Sequence, residues 1–255
     1  MSGSDAPPGL RARPRPRPHR QFLALLRKDL RLELRTKDTI VAMLLFAVLL
    51  MLIFQFGFGA RTQDLTTADG VPAGVVGISP FAGGILWAVL ALTAVLGVGR
   101  AWVPEREQGV LDPLLVAPVD RQVLLAAKAV SLYLYMVAVE VVVLPMTFLF
   151  FVRDTGPEHL LAVAGVCLLG NLCIALLGSL ISGLALFSRA RELLLPVLFL
   201  PSMIPVVVAA AGATHAATQV TIDLAEYRGY CLFLGAYGLI FALVAFATYD
   251  HVFDD

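Results

Sequence analysis

The chain has 255 residues, of which 59% are hydrophobic and only 15% are charged, and its 19 basic and 19 acidic residues give no net charge. Soluble domains carry about 25% charged residues, so this composition excludes an ordinary water-soluble globular protein. Apolar runs longer than 18 residues recur along the chain, and such runs are typical of membrane-spanning helices. The sequence therefore predicts an all-α integral membrane protein.

A basic tail precedes the first apolar segment. Within residues 1–20, the stretch "RPRPRPHR" alternates Arg with Pro, and proline at this density prevents a regular helix and favours an extended polyproline-like chain. We expect a disordered tail that lies near anionic lipid and binds no nucleic acid. The first apolar run is too long for a signal-peptide core, so no cleavage is expected. The membrane domain is predicted to occupy residues 21–255.

Residues 21–37, "QFLALLRKDLRLELRTK", have an amphipathic pattern. Phe22, Leu25, Leu26 and Leu30 recur at helical spacing, with basic residues between them. Such a pattern predicts a helix that lies in the membrane interface. Six apolar segments follow, each long enough to cross a bilayer as a helix, since lipid offers no hydrogen-bond partners to an irregular backbone. They span roughly 39–58, 79–101, 125–152, 160–187, 193–213 and 228–249.

The distribution of positive charge predicts the orientation. If the N-terminus is cytoplasmic, the segments 1–38, 100–128 and 188–192 lie inside and hold 16 of the 19 lysine and arginine residues. Loops rich in Lys and Arg stay in the cytoplasm. Both termini are therefore predicted to be cytoplasmic.

One polar interruption, "PEREQGVLDPLLVAPVDR" at residues 104–121, separates the second span from the third. Gly109 favours a break in the helix, Asp112 suits a helix N-cap, and Pro118 suits a helix end. The interruption predicts a short, rigid, partly apolar element at the cytoplasmic surface, which either docks into a groove of another protein or lies on lipid headgroups. Its candidate contact residues are Glu105, Arg106, Glu107, Gly109, Leu111, Asp112, Leu114, Leu115 and Pro118.

Several segments resemble a known family. "EREQGVLDPLLVAPV" is similar to the cytosolic element of ABC-2-type transporter permeases. The wider pattern resembles the CcmB permeases (haem exporter B) of cytochrome c maturation over about residues 22–250. It is carried by "LLRKDLRLELRTKD", "ISPFAGGILWAVLALTAVLGVGRAW", "LAAKAV" and, most specifically, "RELLLPVLFLPSMIPVVVAAAGAT".

The resemblance implies an ABC-2-type permease in the bacterial inner membrane, with a CcmA-like ATPase docked on residues 104–118. It also implies a CcmC-like haem-handling protein and a CcmE-like haem chaperone as partners, with haem as cargo and no bound cofactor. Whether the permease moves haem or releases the loaded chaperone stays open. The chain contains no G-x-x-x-x-G-K-[ST] loop, so ATP would be bound by the partner only.

Glu140 is the single acid deep in a predicted span, and such groups either face a functional cavity or are protonated and structural.

Four prolines, Pro145 in span 3 and Pro196, Pro201 and Pro205 in span 5, predict kinks that either flex with the ATPase or are static. Span 4 carries a face of small residues that predicts close helix packing, within this chain or against a second copy. That face consists of Ala175, Gly178, Ser179, Ser182 and Gly183.

His159 and His215 lie on the predicted outer side, where they either meet haem as axial ligands or are ordinary loop residues. Besides a non-transporting scaffold, three functions remain open from the sequence. The first is an ABC permease subunit of cytochrome c maturation, and the second is a generic ABC-2 exporter of lipid, polymer or drug. The third, an intramembrane enzyme, would need paired catalytic groups at depth, and Glu140 has no second acid beside it. We therefore expect a non-catalytic subunit without a metal site.

Overall fold

The computed structural model describes residues 18–62, 79–107, 109, 121–152, 156–185, 190–219 and 222–251. These residues form eight helices and no strand. In chain order the helices are α1 (Pro18–Thr36), α2 (Asp38–Thr62), α3 (Ser79–Arg100), α4 (Val103–Glu107), α5 (Arg121–Phe151), α6 (Pro157–Leu184), α7 (Arg191–Ala217) and α8 (Leu224–His251).

Six of these helices are long and apolar enough to cross a membrane, in the order in which the sequence predicts them. The observed helix ends differ from the predicted ones by up to four residues: several helices begin or end beyond the predicted bounds, whereas α3, α5 and α6 end one to three residues before them. The predicted tail ends earlier than expected, since α1 begins at Pro18, a residue type that suits the first helical position. Residues 1–17 of the tail lie outside the described part of the chain.

The span that contains α3 forms the centre of the bundle. Within an apolar 18-residue stretch of this span about 67% of the residues are buried, against 17% in the corresponding stretches of α2 and α8, and α3 packs on α2, α5, α6 and α7. Trp87 of α3 lies against the backbone of Gly170 in α6, where any Cβ would collide with the indole ring. The indole Nε1 donates to Thr214 Oγ1 of α7 at 3.0 Å. One aromatic side chain therefore holds three spans together.

Candidate functional site: a buried charge cluster that holds α4

The link between α1 and α2 is a sharp turn with defined geometry. Lys37 adopts a φ of +60°, the left-handed conformation in which helices commonly end. Glu33 Oε1 then accepts a hydrogen bond from the backbone N–H of Ile40 at 2.7 Å, which satisfies one of the free donors at the start of α2. The turn fixes the direction in which α1 leaves the first span.

The face of α1 that packs against the protein is acidic. Asp29 and Glu33 are buried, whereas Leu23 and Leu34 are exposed, and α1 packs mainly along α5. The sequence pattern predicts an amphipathic helix but does not predict that carboxylates would point inward. Its position in the membrane interface stays a prediction.

Four charged side chains meet where α1, α4 and α5 converge, and we call them the charge cluster: Lys28, Asp29, Glu105 and Lys128. Lys128 Nζ lies 3.1 Å from Asp29 Oδ2 and 2.8 Å from Glu105 Oε1. Lys28 Nζ lies 3.1 Å from Asp29 Oδ1 and also donates to Glu105 Oε1. The two ammonium groups and two carboxylates alternate, so the cluster has no net charge.

Because the cluster is buried, each of its charges depends on the others for stabilisation. Asp29, Glu105 and Lys128 are all buried, and Glu105 is only 1% exposed. A buried charge is costly unless it is paired. Burial by itself lowers the pKa of Lys28, but the neighbouring Asp29 and Glu105 carboxylates outweigh it and hold that pKa above its ordinary value. Lys28 therefore stays charged at neutral pH, and its contribution is lost only above about pH 10.5.

Trp102 connects the charge cluster to the centre of the bundle. The Lys128 ammonium lies 5.1 Å from the centroid of the Trp102 ring, within the range of a cation–π interaction. The indole Nε1 of Trp102 donates to Ser182 Oγ at 3.2 Å. The cluster is thus continuous with the small-residue face of α6.

Helix α4 divides the predicted contact residues between two environments. Glu105 points into the charge cluster, while Arg106 and Glu107 are exposed, because consecutive residues of a helix point about 100° apart. Gly109 follows with a φ of +64°, a conformation that glycine adopts without strain. The remaining predicted contact residues lie outside the described part of the chain: Leu111, Asp112, Leu114, Leu115 and Pro118.

A second polar pair lies inside the spans. Glu140 of α5 is buried, and its Oε2 accepts a hydrogen bond from Asn171 Nδ2 of α6 at 2.7 Å. Asn171 Oδ1 is buried without a hydrogen-bond partner among the described residues. Sequence reasoning missed Asn171, although an amide in the middle of an apolar segment is a signal that could have found it. The bond gives the structural interpretation of Glu140 a specific partner.

The small-residue face of α6 packs within the same chain. Its five predicted members are all buried. A Cβ added to Gly178 would lie 2.5 Å from Val98 Cγ2 of α3 and 3.1 Å from Leu132 Cδ2 of α5, so these side chains already occupy the space that a larger residue would need. The face therefore needs no second copy to cover it at Gly178.

The four prolines that predict kinks all lie inside helices. Helix α5 continues through Pro145, and α7 continues through Pro196, Pro201 and Pro205. Whether these helices flex stays a prediction.

His159 is buried, and its Nδ1 lies 2.8 Å from the Ala217 carbonyl oxygen. His215 Nε2 lies 2.7 Å from Gln219 Nε2. Within the described residues, no group of three or more His, Cys, Asp or Glu side chains could hold a metal ion.

The fold and the charge cluster define a polytopic α-helical membrane protein in which buried ion pairs hold a short helix, α4, against α1 and α5. A comparison with protein families matches residues 20–252 to the CcmB protein family. The chain therefore belongs to the CcmB family.

Individual relatives carry one common name, heme exporter protein B. The protein of Rhodobacter capsulatus is 27% identical over 225 residues, which is 88% of this chain and 95% of that protein. The protein of Paracoccus denitrificans is 29% identical over 75% of this chain and 81% of its own length. The protein of Pseudomonas aeruginosa is 26% identical over 78% of this chain and 82% of its own length. The similarity extends along nearly the whole chain.

Proposed function

We propose that this protein is the membrane permease subunit of an ABC transporter complex that delivers haem for c-type cytochrome biogenesis in the bacterial inner membrane. It transmits ATP hydrolysis by a separate, CcmA-like subunit to haem export or to release of the haem-loaded, CcmE-like chaperone. Membership of the CcmB family, whose relatives are named heme exporter protein B, carries this proposal. The six spans agree with a permease subunit.

The exposed side of α4 is the proposed docking surface for the ATPase, together with the segment that follows it. Arg106 and Glu107 are accessible there. Glu105 has another role in this proposal, because its buried carboxylate holds α4 against α1 and α5. A force applied to α4 would reach α5 through Lys128 and α6 through Trp102.

The first test deletes the encoding gene and measures covalent haem in c-type cytochromes. We expect the covalent haem to disappear and to return when the wild-type chain is supplied. Normal haem attachment after deletion, or ATP-driven efflux of an unrelated compound by the purified complex, would contradict the proposed function.

The docking surface is tested by charge reversal in α4. The double variant Arg106→Glu/Glu107→Arg keeps the net charge and leaves the buried Glu105 in place. We expect it to reach the membrane in normal amount but to retain at least tenfold less ATPase subunit on purification. Arg31→Glu on the exposed side of α1 is the control and should retain the ATPase. Equal recovery from all three proteins would refute docking on α4.

A further inference from the structure

A cavity of about 860 Å³ lies between α1, α2, α5 and the junction of α3 with α4. Its floor is charged and polar: Asp29, Glu33, Lys128 and Ser131 line it, and each is at least nine-tenths buried. Binding cavities for small molecules have volumes of about 300–1,000 Å³. The cavity is therefore large enough for a ligand and polar enough to bind a charged one.

The rim of the cavity carries charges of both signs. Lys37 and Arg100 contribute cations, and Asp38 and Glu107 contribute carboxylates; all four are exposed. Arg100 Nη1 donates to the Asp38 carbonyl oxygen at 3.1 Å, which leaves further guanidinium donors, since arginine has five. No ion pair involves these four side chains within the described residues. The rim can thus offer an anion-binding group and a cation-binding group to one ligand.

One wall of the cavity is apolar and continues onto the outside of the bundle. Leu32, Val41, Ala42 and Leu45 line this wall. Val41 is 43% exposed and Leu45 is 65% exposed on α2, a helix with the composition and length of a membrane span. An acyl chain could follow this wall into the bilayer while its headgroup stays in the cavity.

We propose that this cavity binds one phospholipid whose headgroup carries both a phosphate and a primary ammonium group. Arginine and lysine are suited to the phosphate, and the rim carboxylates are suited to the ammonium. A headgroup with only negative charge would add to the excess of carboxylates in the lining, which has four acidic side chains (Asp29, Glu33, Asp38 and Glu107) and three basic ones (Lys37, Arg100 and Lys128). The lipid would hold α1, α2 and α4 in their relative positions, independently of any ATPase or haem.

The test uses the purified, delipidated full-length chain in neutral detergent and measures its thermal unfolding. The probes are dioleoyl phosphatidylethanolamine, phosphatidylglycerol and diacylglycerol, which share acyl chains and differ in headgroup. We expect a saturable rise in the unfolding temperature with phosphatidylethanolamine and little change with the other two. Arg100→Gln should weaken the apparent affinity for phosphatidylethanolamine about tenfold, since hydrogen bonds to charged groups contribute on that scale.

Arg31→Gln is the matched control, because Arg31 is an exposed arginine of α1 outside the cavity lining. It should bind phosphatidylethanolamine as the wild-type chain does. If Arg100→Gln does not fold, Glu107→Gln on the exposed rim provides the same comparison. Equal effects of the three lipids, preference for phosphatidylglycerol, or equal affinity of cavity and control variants would each overturn the proposal.

Discussion

Among the four residues of the charge cluster, we expect Glu105 to contribute most to stability. Glu105→Gln removes one negative charge and leaves Lys28 and Lys128 facing one remaining carboxylate, Asp29. Breaking a buried ion pair from one side costs about 3–5 kcal/mol. We expect a lower unfolding temperature in detergent and a reduced yield of folded protein, measured by thermal denaturation and size-exclusion chromatography.

Two comparisons separate this effect from a general loss of charge. Glu107→Gln lies two residues away on the exposed side of α4 and should change the unfolding free energy by less than about 0.5 kcal/mol. The double variant Glu105→Leu/Lys128→Met removes one charge of each sign and leaves Lys28 paired with Asp29. It should regain most of the lost stability, because apolar replacement of a buried pair is often neutral. If Glu105→Gln proved as stable as Glu107→Gln, the cluster would have no structural role.

Gly178 sets the approach of α6 to α3 and α5. In Gly178→Ala the new methyl group would lie 2.5 Å from Val98 Cγ2, and the stiff valine side chain cannot rotate away freely. Overpacking of this kind costs about 1–3 kcal/mol, which should appear as a lower unfolding temperature. Gly235→Ala in α8 is the control, since nothing lies within 4 Å of its added Cβ. Equal unfolding temperatures for the two variants would contradict close packing at Gly178.

Between helices, Glu140 and Asn171 form a polar link that joins α5 to α6. Glu140→Gln keeps an oxygen that can accept from Asn171 Nδ2, so we expect little change in thermal stability. Glu140→Leu leaves the buried amide unpartnered, which costs about 1–3 kcal/mol. Thermal unfolding of the two variants measures the difference.

The Glu140→Gln variant also distinguishes the two possible roles of Glu140. If Glu140 serves only to join the helices, Glu140→Gln should retain normal covalent haem in c-type cytochromes. If Glu140 lines a functional route, the Gln variant should fold normally and yet lose haem attachment. Loss of stability in Glu140→Gln would show that the carboxyl group itself is needed.

The helices could be predicted from the sequence with more success than their contacts. Long apolar runs identify spans because a bilayer requires them, and all six are confirmed as helices. The charge cluster could not be predicted, because Asp29, Glu105 and Lys128 are far apart in the chain and their pairing depends on how three helices pack. The pattern around Glu105 predicts a surface element, but hydropathy does not distinguish an acid that faces water from one that faces a buried lysine.

Across the whole molecule, the orientation rests on the positive-inside distribution of Lys and Arg. This predicted orientation can be tested at two exposed residues, one near the charge cluster and one near the start of α8. Glu107 follows the cluster at the end of α4, and Arg228 lies on the exposed surface of the first turns of α8. With six spans between cytoplasmic termini, these two positions are predicted to face opposite sides of the membrane.

We therefore predict that a membrane-impermeant maleimide labels Glu107→Cys only from the cytoplasmic side and Arg228→Cys only from the outer side. Labelling of intact spheroplasts and of inverted vesicles measures this difference. The wild-type chain provides the background, since Cys167 and Cys173 are buried and Cys231 is half-buried. If Glu107→Cys reacted in intact spheroplasts and Arg228→Cys did not, the chain would be inverted. A cytoplasmic ATPase could then not reach α4, whatever the stability of the cluster that holds it.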